Sequence, residues 1–183
     1  MSHDSDSNPQ VAVFALGNIL MADDAVGPHV IARLQAGWEF PETVKVEDLG
    51  TPGLDLHPHL AGPRRLILVD AVRAQGEPGE LRCYRKDEIL RVNPGPRVSP
   101  HDPGLRDSLL ALEFAGTEPE DVLLVGIIVA DTGNSVGLTP AVSAGAAAAV
   151  RLVLDELESL GCAATPRAEP LAPNLWWEEE GAL

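Results

Sequence analysis

The stretch LILVDAV, residues 66–72, is apolar at every position except Asp70, which lies near its C-terminal end. A strand with one wet face alternates apolar and polar residues, whereas a run apolar throughout fits a strand covered on both faces. VLLVGIIVA, 122–130, reads the same way, and VAVFAL, 11–16, is a shorter run of this kind closed by Gly17. Three such strands, separated by helical patterns, predict an α/β fold. The expected architecture is a single-domain three-layer sandwich, a twisted and mostly parallel sheet with helices on both faces.

The pattern extends outward from these strands. After Gly27 and Pro28, Val26, Val30 and Leu34 recur at helical spacing, and Gly37 marks the stop. Val44, Val46 and the Leu49 region form another strand, closed by GTPG at 50–53, and a short helix follows from Leu54. GELRCYR, 79–85, alternates like a strand at the side of a sheet. RVNPGPRVSPHDPG, 91–104, is a turn-rich loop ending in a helix start at Asp102-Pro103, and Leu105, Leu109 and Leu112 share a face of that helix. Thr139-Pro140 opens a long helix with Val142, Ala146, Ala149, Val153, Leu157 and Leu160 on a stripe, ended by Gly161. The reading divides the chain into a disordered N-terminus at 1–10, a domain at 11–162 and an acidic Pro/Ala-rich, loosely held tail at 163–183.

Composition narrows the function classes. The 183 residues carry 28 acids against 13 bases, a net charge of −15, with no basic cluster, which argues against nucleic acid and anionic lipid as partners. Aromatic residues are only 4%, so the core rests on Val, Leu, Ile and Ala. Cys83 and Cys162 have no paired spacing, which points to a reducing compartment and against a cysteine metal site. No secretory signal is visible, and the apolar runs are shorter than the roughly 20 residues that span a bilayer. A cytoplasmic protein without membrane insertion is expected.

In an open parallel sheet, ligands sit beyond the carboxyl ends of the strands. Asp23 and Asp24 follow the first strand, Asp70 closes the third, and His101 precedes a helix. Each has a structural explanation when taken singly, such as satisfying helix-start amides. Together, two carboxylates and an imidazole make a mixed oxygen and nitrogen set suited to a divalent transition metal with open positions, or to acid–base work without metal. His57 and His59 are weaker candidates, and His29, at the start of a helix, is expected to be neutral. GNILMADDAVG is neither a P-loop nor a dinucleotide fingerprint, no G-x-S-x-G elbow appears, and Cys83 is expected to be a buried thiol.

Five segments in order, GNILMADDAVG at 17–27, DLGTPG at 48–53, LVDAV at 68–72, HDPGL at 101–105 and GLTPAV at 137–142, make the chain resemble the hydrogenase maturation proteases from about Val11 to Leu160. These endopeptidases remove a C-terminal extension from the nickel-loaded large-subunit precursor of nickel-iron hydrogenases. The resemblance implies that Asp24, Asp70 and His101 are ligands recognising nickel already in the precursor, with no permanently bound metal. It leaves Asp23 as a helix-start or supporting group. Asp24 or Asp70 would activate water as a general base, or a metal would polarise the scissile carbonyl; the chain does not choose. Gly50, Thr51 and Gly53 of the GTPG loop would lie along the bound peptide, or simply form a tight turn. Many family members carry Glu where this chain has Asp24, and the Pro-rich stretch around 93–100 matches nothing in the pattern. Rival readings are another metal-dependent hydrolase on the same sheet and a non-catalytic chaperone that binds nickel and precursor.

Overall fold

The computed structural model describes residues 9–91 and 102–179. A five-stranded sheet is built from β1 (Val11–Ala15), β3 (Val44–Asp48), β4 (Arg65–Val72), β5 (Leu81–Arg85) and β6 (Asp121–Ile128), in the order β3-β1-β4-β6-β5. The contacts β3–β1, β1–β4 and β4–β6 are parallel, and only the edge strand β5 runs antiparallel, against β6. The helices are α1 (Val26–Gly37), α2 (His57–Leu60), α3 (Lys86–Arg91), α4 (Asp102–Ala115) and α5 (Pro140–Ser159). The expected sheet, mostly parallel with helices on both faces of one domain, is the one observed.

Successive side chains of a strand point to opposite faces, so each central strand feeds two cores. Val11, Val13 and Ala15 of β1, Ile67, Val69 and Ala71 of β4, and Leu123, Val125 and Ile127 of β6 pack beneath α1 and α5. The alternate residues, Ala12 and Phe14, Leu66 and Leu68, Val122 and Leu124, pack on the other face with Leu56, Leu60, Leu105, Leu109 and Leu112. This is why the sequence runs are apolar throughout. The stripe read on α5 is buried from Val142 to Leu157, while Leu160 is only partly covered.

Connectivity locates the functional end. From β1 the chain crosses through α1 to β3 on one side, then returns through α2 to β4 on the other side of β1. The strand order therefore reverses between β1 and β4. At such a reversal the connections leave in opposite directions and open a crevice beyond the carboxyl ends of the two strands.

Several parts differ from the sequence reading. The helix α3 was not anticipated: KDEILR is one short turn and a half that buries a single apolar side chain, Ile89. Residues 163–179 are not a loose tail. β7 (Thr165–Pro166) pairs antiparallel with β2 (Trp38–Glu39), Leu171 donates its N–H to Ala36 O at 2.9 Å, and Trp177 is buried. Cys83 is exposed rather than buried; it lies on β5, an edge strand of the sheet. The Pro-rich stretch 92–101, His101 included, lies outside the described residues, as do 1–8 and 180–183.

Candidate active site

The turn after β1 is held by backbone contacts that leave no room for side chains. Gly17 has φ +146°, and a Cβ there would strike the Asp24 carbonyl oxygen. Gly27, in the first turn of α1, lies against the Leu16 and Val69 carbonyl oxygens, so the helix start touches both β1 and β4. Between these two glycines, Ala22 takes φ +45°, a left-handed conformation costly for a residue with a Cβ, and a short 3-10 turn, Ala22–Ala25, carries both aspartates inward. Asp23 and Asp24 are both buried.

The two neighbours do different things. Asp23 accepts four hydrogen bonds from the segment between β6 and α5: Ala130 N–H at 3.1 Å, Asp131 N–H at 3.0 Å, Thr139 N–H at 2.7 Å and Thr139 Oγ1 at 3.1 Å. Its own N–H donates to Asp131 O at 3.0 Å. Asp23 is thus a staple between two loops, and its carboxylate is fully used. Asp24 turns the other way, toward β1, where its Oδ2 accepts the Asn18 N–H at 2.9 Å.

Asp70 lies within β4, in register with Gly126 of β6 and one residue beyond Val69, which pairs with the last residue of β1. Leu16 N–H still reaches Val69 O at 3.0 Å, so Asp70 stands where β1 turns away and β4 continues. It is buried, and its Oδ1 accepts the Ala71 N–H at 2.8 Å. By alternation it shares the face of Leu66 and Leu68, the face covered by α4. Asp24 and Asp70 thus both lie near the carboxyl ends of β1 and β4, where the strand order reverses.

Two further segments border it. Gly17 N–H donates to Gly50 O at 2.9 Å and Gly50 N–H to Asp48 Oδ1 at 2.9 Å, which fixes the GTPG loop beside the β1 turn. Gly50 (φ +61°) and Gly53 (φ +57°) need their left-handed backbone, and each Cβ position faces open space. Thr51 is exposed. Gly104, three residues after His101, packs so closely that a Cβ would lie 3.1 Å from Gly53 O, bringing the start of α4 to the same loop. Among the described residues no three metal-binding side chains cluster; the third residue of the expected set, His101, is outside them.

The other histidines stand apart from this arrangement in kind. His57 and His59 lie on α2, and His59 meets the Phe14 ring edge-on at 6.3 Å. His29 is buried in the first turn of α1, and burial, reinforced by the Arg33 cation, lowers its pKa to about 4. It is neutral, as its helix position suggested, but desolvation is the larger cause. Glu178 Oε1 lies 3.1 Å from its Nε2, a carboxylate against a neutral imidazole. Sequence reasoning missed Thr139 and Asn18, whose only signal is their presence in two of the five segments.

A family model described as hydrogenase maturation protease matches residues 28–156, a span that includes Asp70 and His101 and begins shortly after Asp24. The chain belongs to the hydrogenase maturation protease family. It is 35% identical over 159 residues to the hydrogenase 2 maturation protease of Escherichia coli (strain K12), covering 86% of this chain and 96% of that protein. It is 36% identical over 171 residues to the hydrogenase expression/formation protein HupM of Azotobacter chroococcum mcd 1, covering 91% and 82%. Among solved structures, the hydrogenase maturating endopeptidase HybD from E. coli superposes with a TM-score of 0.81 at 34% identity, over 87% of this chain and 98% of that one. The [NiFe] hydrogenase maturation protease HybD from Thermococcus kodakarensis gives 0.65 at 26% identity, over 81% and 98%. The chain is therefore a peptidase of hydrogenase maturation, and among the described residues no helix is long and apolar enough to cross a membrane.

Proposed function

We propose that this peptidase removes the C-terminal extension of a nickel-iron hydrogenase large-subunit precursor, and that it recognises the nickel that the precursor already carries. The observation that supports the reading best is the pair of buried carboxylates, Asp24 and Asp70, at the reversal of strand order between β1 and β4. Nickel is here part of the substrate. Two carboxylates and the imidazole of His101 offer it a partial coordination sphere and leave the remaining positions to the precursor.

In this reading the metal fixes the cleavage segment in the crevice, so that the scissile bond meets a carboxylate already in place. Asp24 or Asp70 takes a proton from the attacking water, and the GTPG loop, with Gly50, Thr51 and Gly53, lies along the extended substrate backbone. No metal of the enzyme's own is required. Dependence on substrate nickel would also explain how such a protease spares other proteins.

The test is to incubate the purified chain with a large-subunit precursor, with and without nickel loaded, and to record intact masses. A single C-terminal loss seen only with nickel is the expected result. Binding of the nickel-loaded precursor with no change in its mass would overturn the reading in favour of a chaperone. Cleavage that ignores nickel would overturn the recognition step.

A further inference from the structure

Residues 163–179 are rich in proline and alanine, and Trp177 is the one buried residue among them. A segment of that composition has little reason to hold a fixed course. It nevertheless touches both ends of α1. After the β2–β7 ribbon, Arg167 donates from Nε to Gln35 O at 3.1 Å and from Nη1 to Glu39 Oε1 at 3.0 Å, and the Leu171 bond to Ala36 O follows. The strap ends in a short 3-10 turn, Trp176–Glu178, at the opposite end of the helix.

That end is the end that carries the site. The Trp177 ring meets the His29 ring edge-on at 5.6 Å, and His29 is five residues from Asp24. Glu178 Oε1 touches His29 Nε2 and lies 3.6 Å from where a Cβ on Gly137 would stand. Gly137 precedes by two residues Thr139, which gives Asp23 two of its hydrogen bonds. Further along α1, Arg33 ties the helix to the start of α5, donating to Ser143 O and to Ser143 Oγ, both at 3.0 Å. Leu175 and Glu178 of the strap line a cavity at this junction together with His29, Arg33, Gly137 and Ser143.

We propose that Trp177 is a positioning residue: seated on His29, it fixes the strap over the junction of α1 with the 130–139 loop and thereby holds the Asp23–Asp24 turn in its working geometry. Trp177 touches no reacting atom. It acts through His29 and, by way of Glu178, through Gly137 and Thr139. Its effect on turnover rests on the function proposed above, whereas its effect on the turn does not.

The experiment uses the full chain with Trp177→Ala and Trp177→Phe. Amide hydrogen exchange is read at Thr139 and Asp131, which donate to Asp23, and at Glu120, which donates to Arg64 O at the far end of the sheet. Trp177→Ala is expected to speed exchange at Thr139 and Asp131 about tenfold or more while leaving Glu120 unchanged, a local opening rather than global unfolding. Processing of nickel-loaded precursor should lose about tenfold in kcat with KM nearly constant, and Trp177→Phe, which keeps a ring on His29, should recover most of it. Unchanged exchange at Thr139, or exchange raised equally at all three amides, would overturn the proposal. If the unmutated chain processes no precursor, the functional reading fails on its own and the exchange data still decide the role of Trp177.

Discussion

At the scale of single residues, adjacent aspartates divide two kinds of work. Asp23→Ala would leave the Ala130, Asp131 and Thr139 donors without their acceptor in a part-buried setting that water can partly reach, at a cost of about 2 kcal/mol. Calorimetry should show a clear drop in melting temperature. Asp24→Asn and Asp70→Asn keep shape and volume but remove the charge and the base that the proposed mechanism uses, so on that proposal each should retain its fold while processing falls about 100-fold or more. An Asp24→Asn chain with undiminished processing would remove Asp24 from the mechanism. His29 gives a pH signature of the opposite chemistry. Its folded pKa of about 4 lies below the ordinary 6.5, so the unfolded chain takes up a proton that the folded one refuses. Stability supplied by the neutral ring is complete above 6.5 and declines as pH falls toward 4. A two-dimensional NMR titration should find the His29 ring unprotonated at pH 5, and chemical denaturation of a His29→Leu variant should show a shallower decline over that window.

At the scale of elements, a test of the crevice lies in α1. Alanine is the better helix former than glycine by about 1 kcal/mol, so propensity alone would make Gly27→Ala stabilising. The structure reverses the sign, because the new methyl would meet two backbone carbonyl oxygens, those of Leu16 and Val69, which have nowhere to go. We expect a loss of about 2 kcal/mol or more, read as a lower denaturant midpoint, together with weaker processing as the turn is pushed off β4. The elements themselves were legible in proportion to how much of their length is buried. The runs at 66–72 and 122–130 and the stripe on α5 declare themselves because both faces, or one long face, are covered. The helix α3 and the β2–β7 ribbon do not, since the one buries only Ile89 and the other is two residues long on each side. The strap was illegible for a related reason: a single buried tryptophan leaves no period to read. Asp24 and Asp70 could be singled out as candidates from sequence because one follows, and the other lies near the C-terminal end of, an apolar strand run, but the separate task of Asp23 could not, as its partners lie more than a hundred residues away.

At the scale of the whole molecule, the two cores share one sheet, each central strand contributing alternate residues to both. Neither core survives without the strands of the other, so the domain should unfold as a unit. Far-ultraviolet circular dichroism and hydrogen exchange in β4 and β6 should give the same free energy of unfolding; two separated transitions would show that the layers are independent. The Asp23 staple gives this unity a consequence in time. Its acceptor leaves the ribosome early, but its donors at Ala130, Asp131 and Thr139 follow 107 to 116 residues later. Contacts of such sequence separation form late, after the chain between them has been ordered. A nascent or truncated chain that ends before Ala130 can carry both Asp24 and Asp70 and still lack the bonds that hold the Asp23–Asp24 turn, so the candidate site is assembled only once the strand β6 and the loop beyond it have been made.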